Sequence, residues 1–363
     1  MIKLTDAQAN ALHAINRPRE VNYRYELLDN KDIKISDLEV SDCKISLNSD
    51  RTIKRIATFD VRGVKLVDLL NKRIRPYLSV KVGSEIFEWP LGIFIPTTGT
   101  RTVAISDIVS LDCYDTSIIS KEDRLDSRYL ISIGTSYINA IRTILNSSGI
   151  WKIKIPYTAV VTGIDKEYET GTSKIDIINL LLAEINHTPI WVDENGYFCS
   201  APYILPTLRP IEYMYRADER SIILTNNREE ETDLFDTPNK WIVTASNPEK
   251  AALSASYTNN NPTSKTSTVS RGRTITHVER INDIADQDTL NSYVERLAYE
   301  QSSKVYTTVK FSTPNMPHHT YNDCIWFEDS DMGITNKFIE TAWEMTLGIG
   351  GRMAHTIRRV IDI

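Results

Sequence analysis

Between Tyr23 and Cys113 apolar side chains fall at alternate positions: Ile33 with Ile35, Ile45 with Leu47, Phe59 with Val61, then Leu78, Val80 and Val82, and then Val103, Ile105, Val109 and Leu111 on one parity. A period of two puts alternate side chains on one face of a strand, so this stretch predicts a β unit of barrel-like form. Only Val64 to Ile74 departs from it, as a short helical stretch closed by the Arg75-Pro76 pair. Ahead of the unit, Thr5 and Gln8 stand at capping-box spacing. The stripe Ala11, Leu12 and Ile15 follows and Pro18 ends it, which predicts a short terminal helix or arm.

The period then becomes three and four. Thr135 or Ser136 can cap a helix striped by Ile138, Ile141, Ile144 and Leu145, with Gly149 placed to end it. A second helix starts at Ser173, carries Ile177, Ile178, Leu181, Leu182 and Ile185 on one face, and stops before Pro189. Short strands at 151–155 and 190–192, and a turn through 193–196 into Tyr197 and Phe198, complete an α+β insert. Strand texture returns at 221–224 and 240–245. It lapses across 246–274, a stretch rich in Asn, Ser and Thr that predicts a long exposed loop. A helix headed by Asp286 or Asp288 follows, with Leu290, Tyr293, Val294, Leu297, Ala298 and Gln301 at helical spacing. Alternation then runs to the end through Val305, Thr307, Val309 and Phe311, through 324–327, through Trp343, Met345 and Leu347, and through 356–361. Gly348, Gly350 and Gly351 supply the last tight turn.

These periods predict a mainly-β, α+β chain divided as an arm (1–16), a first β unit (17–112), an α+β insert (113–205) and a second β unit split between 206–250 and 305–363. The polar loop and helix of 251–304 are inserted into that second unit. At 363 residues, several cores are expected rather than one.

Composition narrows the classes. Forty-two basic against 48 acidic side chains leave a formal charge of −6, which argues against a surface built to neutralise nucleic-acid phosphates. Cys43, Cys113, Cys199 and Cys324 lie far apart without metal-ligand spacing, so buried reduced thiols are expected. The start of the sequence has no signal-peptide pattern and no run reaches the roughly 20 apolar residues that span a bilayer, which points to synthesis in a reducing cytoplasm.

Chemistry is sparse. The sequence holds no GxSxG, GxxxxGK[ST], HExxH or GxGxxG pattern. His318-His319 is the one histidine pair, and neighbours on a strand point to opposite faces, so a shared metal ion is not expected of it. The carboxylate pairs Asp193 with Glu194, and Asp329 with Asp331, are of the type that cleaves glycans but sit where turns are predicted. Arg228 to Glu231 reads as a solvated segment, and Arg271-Gly272-Arg273 as a loop. Trp89, Trp151, Trp191, Trp241, Trp326 and Trp343 read as core or interface residues; exposure of Trp151, Trp191 and Trp326 on one groove would favour sugar binding.

The phrases DRTIKRIATFDV (50–61), RIRPYLSVKV (73–82), WPLGIFIPT (89–97), LDCYDTSIIS (111–120), YLISIGTSYINAIRTIL (129–145) and GTSKIDIINLLLAEINHTPIWVDENGYFCSAPY (171–203) together resemble the tail hub proteins of long-tailed and contractile bacteriophages. TPNKWIVTAS (237–246), GRTI (272–275), PHHTYNDCIWF (317–327) and WEMTLGIGGRMAHTIRRV (343–360) are similar to later parts of that family. The resemblance implies two tail-tube-like β-barrel domains with α+β insertions, and a trimer that presents six barrels as a pseudo-six-fold ring around a channel. It implies a baseplate hub joining the tail tube or distal tail protein to the tip or spike protein, in contact with the tape measure protein, with DNA only in passage. No catalytic, cofactor or metal residue is implied, so neither an enzyme nor a cofactor is expected; wall digestion would come from a separate polypeptide. The particle is a virion, or a bacteriocin or other contractile injection system. β edges without obvious Pro or Lys protection suit strand pairing between subunits, and a mildly acidic chain suits a conduit for DNA. The alternative is a carbohydrate-binding or carbohydrate-cleaving tail-tip protein.

Overall fold

The structure is a computed structural model that describes residues 1–13, 20–103, 107–217, 222–231, 237–246, 251–303 and 308–363. Ile15, Pro18, Ile105, Ser221, Val305 and Thr307, used above, lie outside the described residues.

Most of the β structure is one sheet of 14 strands. Its first half runs from Glu39–Asn48 through Arg55–Arg62, Asp107–Asp115, Phe94–Val103 and Arg73–Val82 to Glu20–Leu28, with Lys34–Asp37 at the edge. Its second half runs from Ile334–Leu347 through Arg352–Arg359 and Thr308–Pro314 to Leu224–Glu231, and on the other side through Cys324–Asp329 to Tyr213–Ala217. The alternation of the sequence is the alternation of burial: Ile45, Leu47, Phe59, Val61, Leu78, Val80, Val109 and Leu111 face one core.

The expected pair of barrels is not closed. Among the described residues, pairing follows an open path that passes from one half to the other where Ala342–Leu347 lie antiparallel to Cys43–Asn48. The physical reason is the 14-residue strand Ile334–Leu347. Phe338 near its start packs in the second-half core with Phe311, Phe327 and Ile357, while Trp343, Met345 and Leu347 near its end pack in the first-half core with Ile45 and Phe59. At its end Gly350 takes φ +72°, and a Cβ on Gly351 would stand 2.4 Å from the Thr346 carbonyl oxygen, so the turn admits no side chain there.

Other local expectations are corrected. Val64 to Ile74 is not a helix: only Leu66–Leu69 coil, as a 3-10 turn, and Ile74 begins to pair along Arg73–Val82, which carries Pro76. Pairing with Glu20–Leu28 over nine residues holds the chain from Arg73 onward as a strand. Ile33 and Ile35 are exposed, because Lys34–Asp37 is an edge with no sheet face to cover it. The edges are also charged, with Lys34 and Asp37 on one and Arg228 and Glu229 to Glu231 on the other, which blunts them against open-ended pairing.

The α+β insert is organised as the spacing predicts. The helix Tyr137–Ser147 is capped by Ser136, whose Oγ accepts from the Asn139 N–H, and the helix Lys174–Glu184 packs beside it over a core of Ile141, Ile144, Ile178 and Leu181. The strand Lys240–Ala245, expected with the second β unit, pairs instead with Leu253–Thr258 and Thr276–Ile281. The helix Gln287–Ser303, whose Thr289 N–H is bound by Asp286, covers that small sheet with Leu290, Val294 and Ala298. The stretch read as an exposed polar loop is therefore partly built. Buried Asn239 donates from Nδ2 to the carbonyls of Thr266 and Arg273, and buried Asn259 from Nδ2 to Ser264 Oγ. Polar side chains make this core by bonding one another rather than by being apolar. Among the described residues no helix is long and apolar enough to cross a membrane.

Candidate functional site

Two places concentrate titratable side chains. One is closed. His318 and His319 lie in a turn after Thr308–Pro314, not on a strand, so both rings enter the second-half core and stand 4.7 Å apart. There the strands Ile334–Leu347 and Arg352–Arg359 deliver Glu340 and His355. Glu340 Oε2 lies 2.5 Å from His319 Nδ1 and Oε1 lies 2.6 Å from His355 Nδ1. The far nitrogens are also held, His319 Nε2 at 2.7 Å from the Tyr215 hydroxyl and His355 Nε2 at 2.8 Å from Thr313 Oγ1. Asp323 Oδ2 stands 3.4 Å from His319 Nδ1, and Asp323 Oδ1 stands 2.6 Å from the Met1 ammonium.

Burial pushes the His319 pKa down, but Glu340 and Asp323 outweigh it and lift it to about 9. Burial also depresses His355, and its bond to Glu340 does not reverse this beside a charged His319. The cluster thus holds one imidazolium and one neutral imidazole on a single carboxylate. Burial would raise the Glu340 and Asp323 carboxyls, yet their charged partners hold both below the usual range. His319, Glu340 and His355 are of a type that could ligate a metal, with ligand atoms within 4.8 Å of one another. Their hydrogen bonds already account for them, since each ring nitrogen has a partner. His318 differs: both of its nitrogens are buried without a hydrogen-bond partner among the described residues. Its pKa falls well below the ordinary value through burial and the nearby charge of His319.

The other place is open. A cleft of about 480 Å³ lies where the two sheet halves, the α+β insert and the helix Gln287–Ser303 meet. Lys54 and Asp50 enter it from the first half, Trp191 and Arg209 from the insert and the segment after it, Arg296 from the helix, and Tyr321, Arg358 and Arg359 from the second half. Trp191 stacks on Tyr321 with ring centroids 5.4 Å apart, and Arg296 lies over the Tyr203 ring at 4.5 Å.

The other residues singled out from the sequence do not gather. Asp193 caps its own turn, accepting from the N–H groups of Asn195 and Tyr197, and pairs with Lys154 at 2.6 Å; Asp329 and Asp331 both pair with Arg228. Arg228 to Glu231 belong to the edge strand Leu224–Glu231, and Arg271 donates to the Thr237 carbonyl. Trp89, Trp241 and Trp343 are core residues. Trp151 is 73% exposed, and Trp326 is half-buried, its Nε1 donating to Glu328; of the three tryptophans named for a sugar groove only Trp191 lines the cleft. The four cysteines are buried and unpaired. Glu340 and His355 were missed in the sequence. The available signal was parity, since Glu340 stands two residues from Phe338, and His355 alternates with Met353 and Ile357, all core positions.

No protein-family model matches the sequence, and no curated protein matches it. Solved structures do. The chain is similar to a tail protein from Neisseria meningitidis MC58 with a TM-score of 0.65 at 11% identity, covering 93% of this chain and 97% of that one. It is similar to the 43 kDa tail protein of prophage MuSo2 from Shewanella oneidensis with a TM-score of 0.64 at 10% identity, covering 93% and 98%. The prophage tail protein gp18 from Listeria monocytogenes EGD-e follows at 0.57 and 12%, covering 92% and 94%. The chain has the fold of these phage tail proteins.

Proposed function

We propose that the chain is a structural tail hub protein that joins the tail tube to the tip or spike, assembles as a homotrimer around a central channel, and acts in a virion tail or a related contractile particle. The observation that carries this reading is the whole-length correspondence with tail proteins, over more than nine-tenths of both chains in the two strongest likenesses quoted. The two sheet halves support it, each packing on its own core, since three copies would present six such units to a six-fold tube. On this reading residues 17–112 form one tube-like unit and the strands of 206–231 and 308–363 the other. Exposed Ile33, Ile35 and Ile86 at the first-half edges give subunits apolar surface to share. No residue is assigned a catalytic role. Neighbouring tail proteins are the expected partners, and DNA only in passage.

Negative-stain electron microscopy of the protein, alone and with its neighbouring tail proteins, tests the reading. Class averages with three-fold symmetry and an open centre are expected. Monomers alone in both samples would overturn it.

A further inference from the structure

The junction cleft holds five cationic side chains, Lys54, Arg209, Arg296, Arg358 and Arg359, against two carboxylates, Asp50 and Glu300. Three of the cations are engaged: Arg296 with Glu300 at 2.8 Å, Arg209 with Glu212 at 2.9 Å and Arg358 with Asp50 at 3.4 Å. Two are not. Lys54 is 6% exposed, and its ammonium donates to the carbonyls of Ser49 at 2.8 Å and Arg51 at 2.6 Å. It has no carboxylate partner among the described residues, and an ammonium has a third proton to give. Arg359 donates to Asn336 Oδ1 at 3.1 Å and likewise has no carboxylate partner there. Arg358 Nε, in the same cleft, is buried without an acceptor among the described residues.

A buried cation without a counter-ion is costly, and the chain shows that cost: burial pushes the Lys54 pKa down to about 8, with Asp50 and Asp115 too weak to restore it. A carboxylate arriving in the cleft would meet donors already paid for in folding. The walls suit an extended chain, because the Trp191–Tyr321 stack and Pro189, Pro202 and Pro206 offer apolar surface of low conformational entropy.

We propose that the cleft docks an acidic, extended segment of a neighbouring protein of the particle, with its carboxylates bound by Lys54 and Arg359 and its backbone laid along Trp191 and Tyr321. That the partner belongs to the particle rests on the proposed function; recognition of carboxylates in this cleft does not. Charge complementarity selects this occupant. The lining itself carries more cationic side chains than carboxylates, two of them without a carboxylate partner among the described residues, and its narrow, aromatic- and proline-walled shape admits an extended acidic chain.

The probes are an acetylated, amidated octapeptide of Pro-Glu repeats and its Pro-Gln counterpart, which differ only in charge. Each is titrated into the full chain carrying 5-fluorotryptophan, with the Trp191 fluorine resonance assigned through Trp191→Phe. A saturable shift with the Glu peptide is expected, with at least tenfold weaker binding of the Gln peptide. Arg359→Gln and Lys54→Met should each weaken the Glu peptide at least tenfold, and Arg359→Gln should do so with an unchanged melting temperature. Equal binding of both peptides, or no saturation with either, overturns the proposal. A Trp191 shift with a short DNA duplex instead would make this a phosphate site, and loss of self-association in Arg359→Gln would make the occupant a second copy of the chain; either result also overturns it. Symmetry of the particles by microscopy is independent of these titrations, so the two readings fail separately.

Discussion

The Glu340 cluster and the Lys54 cleft are built from the same kinds of side chain, and they differ in where the counter-charge comes from. Around Glu340 the chain supplies every partner itself: two imidazoles on one carboxylate, a tyrosine and a threonine behind them, and no exposed atom among His319, Glu340 and His355. Around Lys54 and Arg359 the described residues supply carbonyl and amide oxygens as partners but no carboxylate. A closed network of charges fixes which way strands and turns pack, and it is intolerant of losing a member. An open one leaves binding free energy to be realised later, and its members can change with little effect on folding.

The largest effect should come from the closed side. Glu340→Ala strands an imidazolium and a neutral imidazole in the core and should cost about 3–5 kcal/mol, read as an early loss of second-half structure in urea denaturation. Cost below about 1 kcal/mol would mean the cluster rearranges freely.

Next comes pH. The folded His319 pKa of about 9 exceeds the unfolded value, so its contribution is complete below about 6.5 and is lost as pH rises toward 9. His318 and His355 have the opposite sign. Their folded values are depressed, so stability falls as pH drops below about 6.5, where the unfolded rings take up protons. Glu340 and Asp323, also depressed, contribute above about pH 4.5 and lose that contribution as pH falls further. Melting temperature should therefore peak near neutrality, and His319→Gln should flatten the alkaline limb. A limb that stays steep in this variant would place the alkaline loss elsewhere.

Smaller still, and of opposite direction, is His318→Leu. Removing two nitrogens without a partner among the described residues should stabilise the fold by about 1 kcal/mol, and destabilisation instead would mean that His318 has a partner beyond those residues. The smallest effect belongs to the open side: Arg359→Gln should shift stability by no more than about 0.5 kcal/mol, measured in the same denaturation series.

Local order was legible in the sequence where local physics decides it. The Thr5–Gln8 capping box, the cap at Ser136 and the alternation of Ile45, Leu47, Phe59 and Val61 are as read, because each depends on neighbours a few residues away. What needed distant partners was not legible. Alternation marks Trp343, Met345 and Leu347 as strand residues, but not that they pair with Cys43 to Asn48 rather than close a second barrel. Arg73–Val82 became a strand because Glu20–Leu28 was there to pair with it. The closed cluster was half visible in the adjacent histidines, and its acid lay across a strand; the cleft draws on four separate regions and no stretch of sequence announces it.

The seam between Ala342–Leu347 and Cys43–Asn48 also has a consequence for biosynthesis. Its two sides are about 300 residues apart, a contact order that makes closure slow and delays it until Leu347 has been made, at roughly 5–20 residues per second. Until then Glu39–Asn48 emerges from the ribosome with one side unpaired and with Ile45 and Leu47 lacking their cover from Trp343 and Met345. The nascent first half is a sticky intermediate with a lifetime set by the length of chain between it and Leu347, so slower translation of the insert should raise its demand for chaperones and its losses to aggregation.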